Sequence, residues 1–243
     1  MVLPTYNERD NLERVVADVR AYGCDVLVVD DCSPDGTGEI ADRLAQADAG
    51  VSVLHRPHKL GLGSAYVQGF RRGLGDGYGL FLEMDADGSH LAEYLPALIA
   101  DVQRHGGLAL GSRYVPGGSI VGWGFLRYSL SWGANVYCRL VLGIRVKDCT
   151  SGYRCYSRDL LEKIGLQSIV SQGYSFQIEM LLRCVQLGYP VTEVPIRFED
   201  RIAGKSKVSE GEIRRALLNV VRMRFQRQAK PGRVQQHPEG IEA

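Results

Sequence analysis

With 243 residues, 45% hydrophobic and 23% charged, the chain fits one large α/β domain with a tail better than two compact domains, and it can bury a sizeable core. A formal net charge of +1 excludes the global field of a nucleic-acid binder, although Arg and Lys become denser from Arg197 onward. The six cysteines (24, 32, 138, 149, 155, 184) form no CxxC pair and no metal-finger spacing, which indicates reduced thiols in a cytosolic protein.

Val2-Leu3 reads as the stump of a first strand, ended by Pro4. Asn7 is the predicted N-cap of a helix whose apolar face is Leu12, Val15, Val16 and Val19. Asp25 to Asp31 is a second strand, an apolar run ending in carboxylates. Ser33-Pro34-Asp35-Gly36-Thr37 is turn chemistry leading to a helix with Ile40, Ala41 and Leu44 inward. Val51 to Leu54 is a third strand, followed by a long loop, His55 to Gly63. Gly61-Leu62-Gly63-Ser64-Ala65-Tyr66 opens like a dinucleotide fingerprint, but Tyr66 stands where the last Gly or Ala belongs. The loop before it is also too long for a tight strand-helix turn, so NAD binding is rejected.

The centre of the chain is Leu80-Phe81-Leu82-Glu83-Met84-Asp85-Ala86-Asp87-Gly88-Ser89-His90. A short apolar run bounded by Gly77 and Gly79 reads as a buried strand, and it ends in two carboxylates one residue apart. At the carboxyl end of a strand in an open α/β sheet, Asp85 and Asp87 suit Mg²⁺ or Mn²⁺ bridging a diphosphate. An isolated Asp-x-Asp is explained as well by a capped turn. Leu91 to Arg104 is a predicted helix, and Leu108 to Arg113 a strand that delivers an arginine at its end. Strands alternating with helices predict a mostly parallel sheet covered on both faces, which gathers Asp30, Asp31, Asp85, Asp87 and Arg113 at one edge. That convergence points to a nucleotide-type ligand and a metal.

After Arg113 the character changes. Trp123, Phe125, Leu126, Leu130, Trp132, Val136 and Tyr137 form an aromatic-aliphatic set whose only charges are arginines, a composition suited to a headgroup zone or to a packed helical excursion. Lys147 to Arg154 reads as loop chemistry beside the site, and Tyr174 to about Leu187 as a helix. Val191 to Phe198 alternates as a strand, with Pro195 marking an edge or bulge. Glu199 to Lys207 is a cationic loop able to close over phosphates or to sit solvated. Glu210 to about Gln228 is a basic amphipathic helix, suited to an anionic membrane surface or to packing on the domain, and the tail beyond Lys230 reads as disordered. The start lacks a basic region followed by an apolar core, and no run reaches the roughly 18 uncharged apolar residues of a spanning helix.

Taken together, PTYNE at 4–8, VVDDCSPDGT at 28–37, KLGLGSAY at 59–66, MDADGSH at 84–90, GSRYVPGG at 111–118, DCTSGYR at 148–154, GYSFQIEM at 173–180 and RIAGKSK at 201–207 resemble the polyprenol- or dolichyl-phosphate mannose synthases, inverting family-2 glycosyltransferases. The likeness runs from Pro4 to about Lys207 in the family's order. It implies a single GT-A domain, Rossmann-like with a mostly parallel sheet, over residues 1–209, with 114–146 facing acceptor and membrane. Residues 210–228 would form the interfacial helix and 229–243 a disordered tail.

The resemblance also implies a GDP-mannose donor, Mg²⁺ or Mn²⁺, and a polyprenyl monophosphate acceptor. Pro4, Tyr6, Glu8, Val29 and Asp31 would line the guanosine-ribose side, and Asp85, Ala86 and Asp87 would meet diphosphate and metal. Arg113, Arg201 and Lys207 would hold donor phosphates or sugar, and Arg113, Arg127 and Ser131 the acceptor phosphate. Asp87, Arg113 and Arg127 carry catalysis in this reading. Ser89 replaces a Gln that some relatives use as a further metal ligand, and serves only at shorter reach. Many relatives carry transmembrane helices that this chain lacks, so either a partner subunit anchors it at the cytoplasmic face of a membrane or its own amphipathic segments suffice. The competing readings are transfer of glucose from a UDP-sugar to the same lipid class and a non-catalytic nucleotide-sugar-binding scaffold. Nucleic acid is not an expected partner.

Overall fold

The computed structural model describes residues 1–200 and 210–225, so Arg201, Lys207 and the 229–243 tail lie outside the described residues. In chain order the first elements are β1 (Val2–Thr5), α1 (Leu12–Arg20), β2 (Val26–Asp30), α2 (Thr37–Ala47), β3 (Val51–His55), α3 (Leu62–Gly75) and β4 (Leu80–Glu83). They continue with α4 (Leu95–His105), β5 (Leu108–Ser112), β6 (Ser119–Val121), α5 (Phe125–Leu142), β7 (Arg154–Ser157) and α6 (Arg158–Lys163). The last are α7 (Tyr174–Gln186), β8 (Val191–Pro195), β9 (Arg197–Glu199) and α8 (Glu210–Phe225).

Seven strands form one sheet in the order β3-β2-β1-β4-β7-β5-β8, and β6 pairs with β9 in a separate ribbon. All neighbours in the large sheet run parallel except β7, which lies antiparallel between β4 and β5. Strand residues alternate between two cores, as a period of two requires. Val2, Leu27 and Val29 point to the face covered by α3, α5, α6 and α7, whereas Leu3, Val26 and Val28 meet α1, α2 and α4. The first face is aromatic: Tyr66 stacks on Phe176, and Phe70 meets Phe81 and Tyr156 edge-on.

Four local expectations are corrected. Asn7 does not cap α1; it stands at φ +59°, and the helix begins at Leu12 after Asn11. The helix expected from Leu91 starts with a one-turn 3₁₀ segment, Ala92–Tyr94, and α4 begins anew at Leu95 with Pro96 in its first turn, where a missing N–H costs nothing. The stretch read as loop to Arg154 ends in strand β7, whose first side chain is a buried guanidinium and so looked like loop chemistry. Val191 to Phe198 is not one strand. Pro195, which has no N–H to offer a ladder, closes β8 at the sheet edge, and β9 leaves to pair with β6.

The LGLG stretch has a steric cause. Gly63 sits in the first turn of α3, where a Cβ would lie 2.5 Å from the Ser171 carbonyl oxygen and 3.1 Å from the Phe176 ring. Gly63→Ala is therefore expected to destabilise the fold by about 1–3 kcal/mol in urea titrations. Gly75→Ala, where a Cβ meets nothing within 4 Å, should be neutral or stabilising by up to about 1 kcal/mol. Equal midpoints for the two variants would contradict this account.

Candidate active site

Parallel strands bring the carboxyl ends of β1, β2, β4 and β5 to one edge, and antiparallel β7 begins there. The loops after β1 and β2 are sewn together. Thr5 Oγ1 and Ser33 Oγ donate to Asp30 at 3.0 and 2.6 Å, and Asn7 N–H donates to Ser33 Oγ at 3.1 Å. Asp35 accepts from the Thr37 N–H, the Thr37 hydroxyl and the Arg9 N–H, and Thr37 Oγ1 in turn accepts from Glu8 N–H. Burial alone would raise the Asp35 carboxyl, but these donors hold it below the usual range. SPDGT is thus a structural clasp at the start of α2. Asn7 and Cys32, in the two loops it joins, both stand at positive φ, and such strain persists only where surrounding bonds over-determine it.

Of the residues expected on the donor side, Pro4 and Val29 are register partners in β1 and β2. Val29 is fully enclosed, so it supports this wall from within the core, while Tyr6 and Pro4 are partly exposed. Glu8 accepts from Asn11 Nδ2 at 3.0 Å. Asp31 is buried, ion-paired with Arg56 and bonded to the Gly61 N–H at 3.0 Å.

After β4 the chain delivers Asp85, partly exposed, then buried Ala86 and Asp87. Asp87 accepts from the backbone and hydroxyl of Ser89 at 3.0 and 2.6 Å, so the Ser89 side chain braces a carboxylate. Among the described residues no three His, Cys, Asp or Glu side chains gather as a metal cage. Two hard carboxylates one residue apart in the chain fit a divalent cation that takes its remaining oxygens from phosphate and water. His90 stands 3.9 Å from Asp85, between Tyr153 and Phe198. Burial pushes its pKa down to about 4, so the ring is neutral at physiological pH.

At the end of β5, Arg113 donates through Nε and Nη2 to both oxygens of Asp148, at 2.7 Å each, and through Nη2 to Thr150 at 2.9 Å. Its guanidinium is ringed by Tyr114, Trp123 and Phe198 at 5.3–5.6 Å. Helix α5 then contributes Arg127, which lies 4.1 Å over Trp123 and bonds Asp200 at 2.8 Å, and Ser131, which accepts from Tyr114 Oη at 2.8 Å. Asn135 anchors the same helix by accepting from the Cys149 N–H and donating to Thr150. The structure therefore brings Asp31, Asp85, Asp87, Arg113, Arg127 and Ser131 to one end of the sheet and its adjoining helix.

The Glycosyl transferase family 2 model matches residues 1–165. The chain belongs to that family. This glycosyltransferase is 50% identical over 224 residues to polyprenol monophosphomannose synthase of Mycolicibacterium smegmatis, covering 90% of this chain and 84% of that protein. It is 48% identical over 223 residues to undecaprenyl-phosphate mannosyltransferase of Micrococcus luteus, covering 91% of each. In fold it is similar to glucosyl-3-phosphoglycerate synthase of Mycobacterium tuberculosis solved with Mn²⁺, uridine diphosphate and phosphoglyceric acid. That superposition has a TM-score of 0.67 at 19% identity, over 96% of this chain and 78% of the other.

The sequence had assigned no role to Arg56, Asp148, Asn135, or the Glu83–Arg154 pair beneath the acid motif of the glycosyltransferase. Glu83 and Arg154 face each other across β4 and β7, 3.5 Å apart and fully buried, with Tyr156 donating to Glu83. Burial outweighs Arg154 and raises the Glu83 carboxyl from 4.5 to about 8. The folded form then keeps a proton that the unfolded chain has lost between pH 4.5 and 8, so this group's contribution to stability falls as pH rises through that window. Glu83→Gln should remove that slope, and the wild-type-minus-variant unfolding free energy should drop by on the order of 1 kcal/mol per pH unit there. A constant difference across the window would contradict the raised carboxyl.

Asp148 is the opposite case. Burial would raise it, but the contacts with Arg113 hold it below the usual range. Asp148→Asn is expected to cost about 3–5 kcal/mol of stability and to reduce turnover on the order of a hundredfold in steady-state assays, because Arg113 loses its orientation. Wild-type turnover in a folded Asp148→Asn protein would contradict that role.

Proposed function

We propose that this glycosyltransferase moves mannose from GDP-mannose to a polyprenyl monophosphate with inversion, giving polyprenyl phosphate β-mannose. The observation that supports it most is the delivery to one sheet edge of a carboxylate pair just after β4 and of an arginine just after β5 that Asp148 locks. The two relatives of about half-identical sequence are named for mannosyl transfer to such lipids.

In this reading the loops after β1 and β2, with Pro4, Tyr6, Glu8 and Asp31, cradle the nucleoside. Asp85 and Asp87 would hold Mg²⁺ or Mn²⁺, which when bound neutralises charge building on the departing diphosphate. Arg201 and Lys207 are further donor contacts. The nucleophile is a phosphate monoester oxygen, and with a second pKa of about 6 it is largely dianionic at neutral pH. No general base is needed, which agrees with the weak basicity that burial gives His90. Arg113, Arg127 and Ser131 hold this second anion against a donor that would otherwise repel it. Asp148 fixes the plane of Arg113, so less side-chain freedom is lost when phosphate arrives.

The acceptor tail needs an apolar surface near those arginines. On α5, Phe125 is 87% exposed, Leu126 72% and Trp132 53%; on α8, Leu218 is 60% exposed and Phe225 81%. The two helices touch, with Tyr137 Oη donating to the Leu217 carbonyl. Among the described residues no helix is long and apolar enough to cross a membrane. We therefore assign a peripheral position on the cytoplasmic face of a membrane, held by these helices or by an anchoring partner subunit.

Purified protein incubated with labelled GDP-mannose, Mg²⁺ or Mn²⁺ and a polyprenyl phosphate should move label into the organic phase, and UDP-glucose should not compete. The product should be β-linked by NMR, and Asp87→Ala should lower turnover on the order of a hundred- to a thousandfold. An α-linked product would refute inversion. Preferential use of UDP-glucose would refute the donor, and full activity of Asp87→Ala the catalytic reading.

A further inference from the structure

The KLGLG stretch is accounted for only in part by the steric need for Gly63. Its other end is held by a buried clamp. Arg56, 3% exposed, ion-pairs with Asp31 and donates to Ser64 Oγ at 2.7 Å and to the Gly61 carbonyl at 2.9 Å. Asp31 takes the Gly61 N–H on its other oxygen. One guanidinium and one carboxylate thus fasten the β3–α3 loop to the end of β2. This loop carries exposed Lys59 across to the end of β1, where its ammonium stands 3.9 Å over the centroid of the Tyr6 ring. A cation over an aromatic face is a favourable but modest contact, easily exchanged for a better one.

We propose that Lys59 is a donor-specificity residue, and that the Arg56–Asp31 clamp positions it to select guanine at the Tyr6 face. The inference rests on the reading of Tyr6 as part of the nucleobase wall. A base that stacks on Tyr6 displaces the ammonium from the ring centre to the base's edge. Guanine offers two adjacent acceptors there, N7 and O6, the pair that lysine reads in nucleic acids. Adenine sets a donor amino group beside N7, and uracil has no adjacent acceptor pair, since its O4 lies between N3–H and C5–H. The ammonium therefore rewards guanine and leaves the other bases without a matching pair. The clamp matters because a lysine on a loose loop would spend that gain on ordering itself.

The test is calorimetric binding of GDP, ADP and UDP, with Mn²⁺, to the full chain, to Lys59→Met and Lys59→Arg, and to Arg56→Lys. Wild type should prefer GDP. Lys59→Met should lose about tenfold in GDP affinity with little change for ADP or UDP, and its melting temperature should not move because Lys59 is exposed. Lys59→Arg should restore part of the preference, and Arg56→Lys should narrow it. Equal weakening towards all three nucleotides would overturn the proposal, making Lys59 a general phosphate contact. So would an unchanged GDP affinity in Lys59→Met. A wild type with no preference for GDP would bring down the donor reading as well, whereas a preference that survives in Lys59→Met sinks the role of Lys59 alone.

Discussion

The ion pair between Arg113 and Asp148 is the contact on which the site depends. Both side chains are almost wholly buried, and the pair joins the end of β5 to the loop entering β7. Neither charge could sit there without the other, since an uncompensated buried ion costs several kcal/mol. Thr150 and Asn135 extend the same network to α5. One pairing thus fixes the orientation of an arginine, the seat of a helix and the approach of the chain to a strand. The site is preorganised because its cations were ordered during folding rather than on ligand arrival.

A second buried pair works one layer below. Glu83 and Arg154 occupy the register position where β4 and β7 cross the floor of the site, and Arg154 also donates to the carbonyls of Ser151, Gln177 and Cys149. Those donations shape the loop that faces Asp85, since a Cβ at Gly152 would lie 3.6 Å from both Asp85 oxygens. Antiparallel β7 therefore closes the gap between the acidic and the basic halves of the edge. An all-parallel sheet would put the strand's opposite end, without Arg154, at this point.

The legible parts of the fold were those with local signals. Apolar runs ending in charges gave the parallel strands, and the spacing of Leu12, Val15, Val16 and Val19 gave the buried face of α1. The position of Asp85, Asp87 and Arg113 just beyond strand ends was legible because a strand end advertises itself in sequence. What was not legible depends on distant partners. Arg56 meets Asp31 from 25 positions away and Arg113 meets Asp148 from 35, and nothing local to either arginine reports that. Strand β7 hid because its first residue is charged, and β9 hid because it continues the alternation of β8 while joining another sheet. SPDGT was read correctly as turn chemistry, yet its bonds show a clasp between two loops.

The central claim is that the acid pair and the arginines serve one reaction centre, with donor and acceptor phosphates side by side. The most direct measurement is the ³¹P resonance of a short-chain polyprenyl phosphate added to the protein with Mn²⁺ and GDP. The account predicts strong paramagnetic broadening of the acceptor phosphorus that disappears when Asp87 is replaced by Ala. An acceptor resonance that binding shifts but Mn²⁺ leaves sharp would put the two phosphates in separate places and contradict it.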